Sequence, residues 1–168
     1  GKAKTRAAAP LRVCVDPPKV PAAQRLPVPP KIAAVDDVLW EMPRGGGVLT
    51  LPVYFMDNPD AETRRKILAA ANRWYDKGVG ARFAETSDRS TPVRVARTRG
   101  QGYYAYLGDS CRQIPLNMPT VNLDSFTAAT SDAEYLRVVC HEFGHVLGCP
   151  HEHVRRELVE RIDPAKAY

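Results

Sequence analysis

One stretch constrains this chain more than any other: His141-Glu142-Phe143-Gly144-His145-Val146-Leu147-Gly148-Cys149-Pro150-His151. It reads H-E-x-x-H-x-x-G-x-x-H, and all four histidines of the chain fall between 141 and 153. Residues four apart share one face of a helix, so His141 and His145 can reach one metal ion. Glu142 projects about 100° round the helix axis, which sets its carboxylate beside that ion, able to hold a water. Gly148 lets the chain leave the helix with φ > 0 and double back. Pro150 forbids helical continuation, and His151 returns as a third ligand. Three protein ligands with an open fourth position make a catalytic zinc site, whereas structural sites are closed, usually with cysteines. The implied chemistry is hydrolysis. Zinc brings the pKa of water to about 7, and Glu142 takes the proton and returns it to a leaving amine.

A polar helix end with solvated histidines would also carry such residues. Against it, Leu136, Val139, Phe143, Val146 and Leu147 are predicted on one wide arc opposite His141 and His145. That is a core helix with its polar face turned into a cleft. Ser131-x-x-Glu134 is a capping box and starts this helix near Ser131.

With 168 residues, the chain is long enough for one domain with a real core. Hydrophobic content of 44% and charged content of 26% are ordinary for a globular protein. The net charge of +5 comes from scattered basic residues. The tightest cluster, Arg64, Arg65 and Lys66, falls on a predicted helix as a solvated face, so no nucleic-acid partner is expected. No run reaches transmembrane length. No signal peptide is visible, and one removed before this numbering starts is compatible with that.

Cys14, Cys111, Cys140 and Cys149 contain no C-x-x-C, which excludes a zinc ribbon or a thioredoxin motif. Four cysteines are compatible with two disulfides in a secreted protein. On one helix, Cys140 and Cys149 would stand roughly 13 Å apart, beyond disulfide reach. A Cys14–Cys111 pair and free buried thiols both stay open, with Cys140 expected on the apolar arc.

Residues 1–36 lack periodicity and carry seven prolines, so they read as an extended arm or pro-like segment and not a folded core. The domain proper is expected over 37–168. Within it, 48–55 reads as a strand after the Gly45-Gly46-Gly47 turn. A helix is expected from Asn58-Pro59, with Pro59 at the first helical position. Ile67, Leu68, Ala71, Trp74 and Tyr75 form its apolar stripe, and Gly78 or Gly80 ends it. Further strands are expected at 81–85, 92–97, 102–108 and 120–123, with Tyr104 and Tyr106 on one face. After the metal motif, 154–162 could be helical, and Asp163-Pro164 reads as a fresh helix start.

The Gly-spaced third histidine is the metzincin signature. His141 to Arg155 resembles the astacin branch, in which a Glu follows the third His, as Glu152 does here, and an Arg stands three further on, as Arg155 does. The Gly102-Tyr103-Tyr104-Ala105-Tyr106-Leu107-Gly108 segment and Pro119-Thr120-Val121-Asn122-Leu123 are similar to bacterial astacin-like proteins. The resemblance covers roughly residues 40–168. It implies an α+β fold of the zincin/metzincin type, a twisted mixed sheet with a backing helix and an active-site zinc helix. It further implies zinc on His141, His145 and His151, with Glu142 as general base. The activity implied is that of an endopeptidase, secreted or periplasmic, which takes a protein or peptide substrate along an edge strand by β-augmentation. In the family, the Glu at the position of Glu152 helps fix the mature N-terminus. Metzincin zymogens can also place a prosegment Cys or Asp on the zinc. In Arg12-Val13-Cys14-Val15-Asp16 this makes Cys14 and Asp16 a candidate latency switch, set against a plain short strand with a disulfide cysteine.

The chain also departs from the family pattern. Arg156-Glu157-Leu158 does not continue the animal astacin sequence. Metzincins carry a Met-turn after the zinc motif, but Met42, Met56 and Met118 all precede it, and Tyr168 lies outside any such turn. The expectation is therefore that the lower C-terminal subdomain is missing here and that the chain's own C-terminal segment is one partner. Two readings follow: a zinc endopeptidase, or a zinc-binding module or latent fragment that binds a protein partner. Zinc hydrolases of non-peptide amides lack this Gly-spaced third His followed by Glu.

Overall fold

The computed structural model describes residues 13–27 and 39–151. Glu152, Arg155, Tyr168 and the helices expected after the metal motif lie outside the described residues.

Alternating apolar residues make β1 (Leu49–Phe55), which buries Leu51, Val53 and Phe55 and exposes Thr50. It joins β2 (Ala81–Glu85), β3 (Val93–Ala96), β4 (Tyr103–Ala105) and β5 (Val121–Leu123) in one sheet of order β2-β1-β3-β5-β4. The first four strands in that order are parallel, and β4 runs antiparallel to β5 at the edge. The sheet is thus mixed and the fold is α+β, as the sequence implies. The run expected as one strand over 102–108 stops at Ala105, because Gly108 (φ 52) starts a 3-10 helix, Gly108–Gln113.

The backing helix α1 (Ala61–Ala71) starts two residues later than the Pro59 rule predicts. Asn58 takes φ 45, and the true cap is Asp60, whose side chain accepts from the Thr63 amide at 2.9 Å. The stripe also breaks early. Asn72 ends α1, and its side-chain amide exchanges two hydrogen bonds with the Phe83 backbone, at 2.8 and 2.9 Å. The chain restarts as α2 (Arg73–Asp76), and Tyr75 is left 43% exposed instead of joining the core.

Ser131 caps the second long helix as expected, its Oγ accepting from the Glu134 amide at 3.2 Å. This helix runs as α3 (Asp132–Glu134), a π-helical turn (Tyr135–Val139) and α4 (Cys140–Val146). The π turn corrects the predicted arc. Its wider winding turns Leu136 out to 47% exposure and brings Tyr135 and Val138 in to 2%. Val139, Phe143 and Val146 remain fully buried. Phe143 meets Phe83 of β2 edge-on at 4.7 Å, which fixes α4 against the sheet.

Residues 13–27 lie against β4 and the 3-10 helix that follows it. The Val15 amide donates to Tyr103 O at 2.7 Å, and the Tyr103 amide to Val13 O at 3.2 Å, forming a parallel bridge at Cys14. The proline-rich arm does not stay wholly outside the core, contrary to the reading of its composition. Val20 is 5% exposed and belongs to the main hydrophobic cluster.

Candidate metal centre

The helix end that carries the motif is built by local chemistry. Gly148 takes φ 101, and its amide donates to His145 O at 2.8 Å. The Cys149 amide donates to Gly144 O at 3.0 Å. Together these two bonds are a Schellman motif with glycine at the left-handed position. The reversal returns His151 to the face that holds His141 and His145.

The three Nε2 atoms form a close triangle: 3.1 Å from His141 to His145, 3.2 Å from His141 to His151, and 3.0 Å from His145 to His151. Zinc–nitrogen bonds of about 2.0–2.1 Å in tetrahedral geometry set nitrogens about 3.3 Å apart, so this triangle fits one zinc ion. The orientation fits as well. The Cys149 carbonyl lies 2.6 Å from His145 Nδ1, and a carbonyl can only accept, so Nδ1 carries the proton and Nε2 is left as the ligand atom. Burial first, then the neighbouring His145, His151 and Arg137, lower the pKa of His141 and favour the neutral form that a metal needs.

A fourth donor comes from the arm. Cys14 Sγ lies 3.4 Å from His151 Nε2 and 3.9 Å from His145 Nε2. One ligand atom from each of Cys14, His141, His145 and His151 falls within 4.8 Å of all the others. Burial, followed by the Glu142 carboxyl, pushes the Cys14 thiol up to about 12. A divalent cation among the imidazoles would invert that balance, since a coordinating thiol is deprotonated outright. Asp16, the other candidate switch residue, is exposed and lines the same cavity of about 210 Å³ as Cys14, His145 and His151. It is not one of the grouped ligand residues.

Glu142 is 1% exposed, and its Oε2 has no hydrogen-bond partner among the described residues. Burial pushes its carboxyl up to about 7, against the opposing pull of the Cys14 hydrogen bond and of Arg137. A buried, orphaned carboxylate oxygen on a side chain that meets the Cys14 thiol is explained by a site built to take a water or an ion.

All four cysteines are free, so neither a pair of disulfides nor a Cys14–Cys111 bridge forms. Cys14 is committed to the histidines. Cys111 is fully buried, with its thiol on Tyr106 O, and the Cys140 thiol donates to Ala70 O at 3.1 Å.

Two tryptophans hold the metal helix, and the motif carries no signal for either role. Trp74 donates its indole N–H to Cys140 O at 2.8 Å, and Trp40 donates to Val146 O at 2.6 Å. They grip the two ends of α4. Arg94 is a third unforeseen element. It is 1% exposed, and its guanidinium donates to the carbonyls of Thr91, Ile114 and Met118 at 2.8–3.0 Å, with Pro115 O at 3.2 Å. This pins the 114–118 loop that follows the 3-10 helix.

A mixed sheet backed by α1, with three histidines converging at the end of a second helix, defines a zinc-peptidase type of domain. The family model for Astacin, a peptidase family, matches residues 49–163, and the chain belongs to that family. Zinc metalloproteinase nas-27 of Caenorhabditis elegans is 27% identical over 116 residues, which is 69% of this chain and 23% of that protein. A crystal structure of myroilysin superposes with a TM-score of 0.63 at 30% identity, covering 84% of this chain and 52% of that one. High choriolytic enzyme 1, a hatching enzyme zinc-protease of the medaka fish Oryzias latipes, shares the fold at a TM-score of 0.52 and 19% identity, over 82% of this chain and 66% of its own. The chain therefore spans about half the length of myroilysin and about a quarter of the nematode relative. Among the described residues, no helix is long and apolar enough to cross a membrane.

Proposed function

We propose that this protein is a secreted or periplasmic zinc endopeptidase, held latent in the present arrangement by its N-terminal arm. The observation that carries this reading is the triangle of His141, His145 and His151 nitrogens, with the buried Glu142 next to His141 in the same helix. Zinc on those three imidazoles supplies Lewis acidity, which polarises a peptide carbonyl and acidifies water.

The chain's own residues do the rest. Glu142 takes a proton from the attacking water and hands it to the departing amine. Main-chain groups on the outer edge of β4 receive an extended peptide, as they receive Val13 and Val15 of the arm. The Cys14 sulfur stands where the reacting groups must gather, which favours a latent form over a permanently non-catalytic module. Gly148 builds the turn that returns His151, and Glu152 keeps its proposed role in fixing the mature N-terminus.

The test is Glu142→Gln in the zinc-loaded protein after arm removal. Peptide hydrolysis should fall roughly 10²–10⁴-fold while zinc content is unchanged. An unchanged rate would refute the assigned base.

A further inference from the structure

The arm does more at the site than deliver Cys14. After Val15 it cannot continue the strand ladder, because Pro17 and Pro18 carry no amide hydrogen. It is nevertheless fixed again further on. The Tyr106 hydroxyl donates to the Pro18 carbonyl, and two residues later Val20 is buried to 5% while Lys19 and Pro21 on either side are exposed. The Leu26 amide then donates to Gln113 O at 2.8 Å. Tyr106 is itself held rigidly. Its amide donates to Thr120 O at 3.0 Å, and its ring meets Tyr104 edge-on. Pro18 and Val20 stand four and six positions beyond Cys14. None of Pro18, Val20 and Tyr106 is among the grouped ligand residues, and none lines the cavity formed by Cys14, His145 and His151.

We propose that the Tyr106 hydroxyl and the apolar pocket filled by Val20 form a remote anchoring subsite for an extended peptide. The hydroxyl takes a main-chain carbonyl, and the pocket takes an aliphatic side chain of about valine size. The proposal rests on the reading of the arm as occupant of the substrate groove. A hydroxyl donor reads any carbonyl, so Tyr106 selects for an extended chain that reaches it and not for sequence. Side-chain preference comes from the pocket, which admits one apolar residue between exposed neighbours.

The experiment uses the full chain with Cys14→Ser and Val20→Asp, which loosens the tethered arm at the histidine cluster and at the apolar pocket, and thermal melts check that this variant stays folded. The probe is a fluorescein-labelled synthetic peptide copying residues 13–27 with Cys14→Ser, titrated by anisotropy into zinc-loaded and zinc-stripped protein. The same affinity is expected with and without zinc. Adding Tyr106→Phe to the protein should weaken binding about three- to tenfold, as for one net hydrogen bond. Val20→Asp in the peptide should weaken it roughly tenfold or more, and Val20→Ala by less. Thermal melts check that Tyr106→Phe stays folded. Failure of the parent peptide to bind, binding that vanishes without zinc, or indifference to Tyr106→Phe or to Val20→Asp would each overturn the proposal. Failure of the peptidase reading would show separately, as zinc-loaded protein that cleaves nothing while still binding this probe.

Discussion

The Trp74 ring lies so close over Gly144 that a Cβ at that position would fall 2.9 Å from Trp74 Cζ2. Glycine inside the H-E-x-x-H turn is therefore a packing requirement of this indole, which also donates to Cys140 O. Gly144→Ala should destabilise the protein despite better helix propensity. Overpacking costs about 1–3 kcal/mol, while the propensity gain is at most about 1 kcal/mol. Urea unfolding measures the difference. Trp74→Phe alone loses its hydrogen bond, and the double variant should cost less than the sum of the two singles, with coupling of about 0.5 kcal/mol or more.

Arg94 is a buried cation whose hydrogen bonds go to backbone carbonyls of the 91–118 region. Arg94→Met strands those acceptors in the interior and should cost about 3 kcal/mol or more. Arg94→Lys should recover little, because an ammonium cannot match the fork geometry of a guanidinium. Denaturant midpoints at constant slope would check both.

Cys14 blocks the site in the latent reading, so its loss should release activity. In the zinc-loaded, full-length protein with its arm intact, Cys14→Ala should raise peptide hydrolysis at least tenfold, equivalent to about 1.4 kcal/mol. Asp16→Ala should leave the rate within about twofold, since Asp16 is exposed and outside the ligand group. Equal effects of the two substitutions would contradict the assignment.

The convergence of His141, His145 and His151 is legible in the sequence because its logic is local. The i, i+4 spacing of His141 and His145 and the glycine turn at Gly148 are short-range rules, and Ser131 caps the helix where the box pattern places it. Most strands are legible for the same reason, through alternation and turn residues. Longer-range effects are not. The π turn at Tyr135–Val139 moves Leu136 off the core face, and nothing in a 3.6-residue period signals that winding. Asn72 breaks the backing helix because its side-chain amide finds the Phe83 backbone, a partner 11 residues away. Trp74, Trp40 and Arg94 act on carbonyls as far as 66, 106 and 24 positions distant, a relation visible only in three dimensions. Proline content marks the arm as extended, but it conceals that one valine reaches the core.

The central claim is one zinc ion on His141, His145 and His151, with the Cys14 sulfur as fourth donor in the arm-bound state. Zinc K-edge X-ray absorption on the full chain tests it most directly. The account predicts three imidazole nitrogens at about 2.0–2.1 Å and one sulfur at about 2.3 Å, with the sulfur lost in Cys14→Ala. A wild-type shell of nitrogen and oxygen alone, or a protein that takes up no zinc, would contradict it.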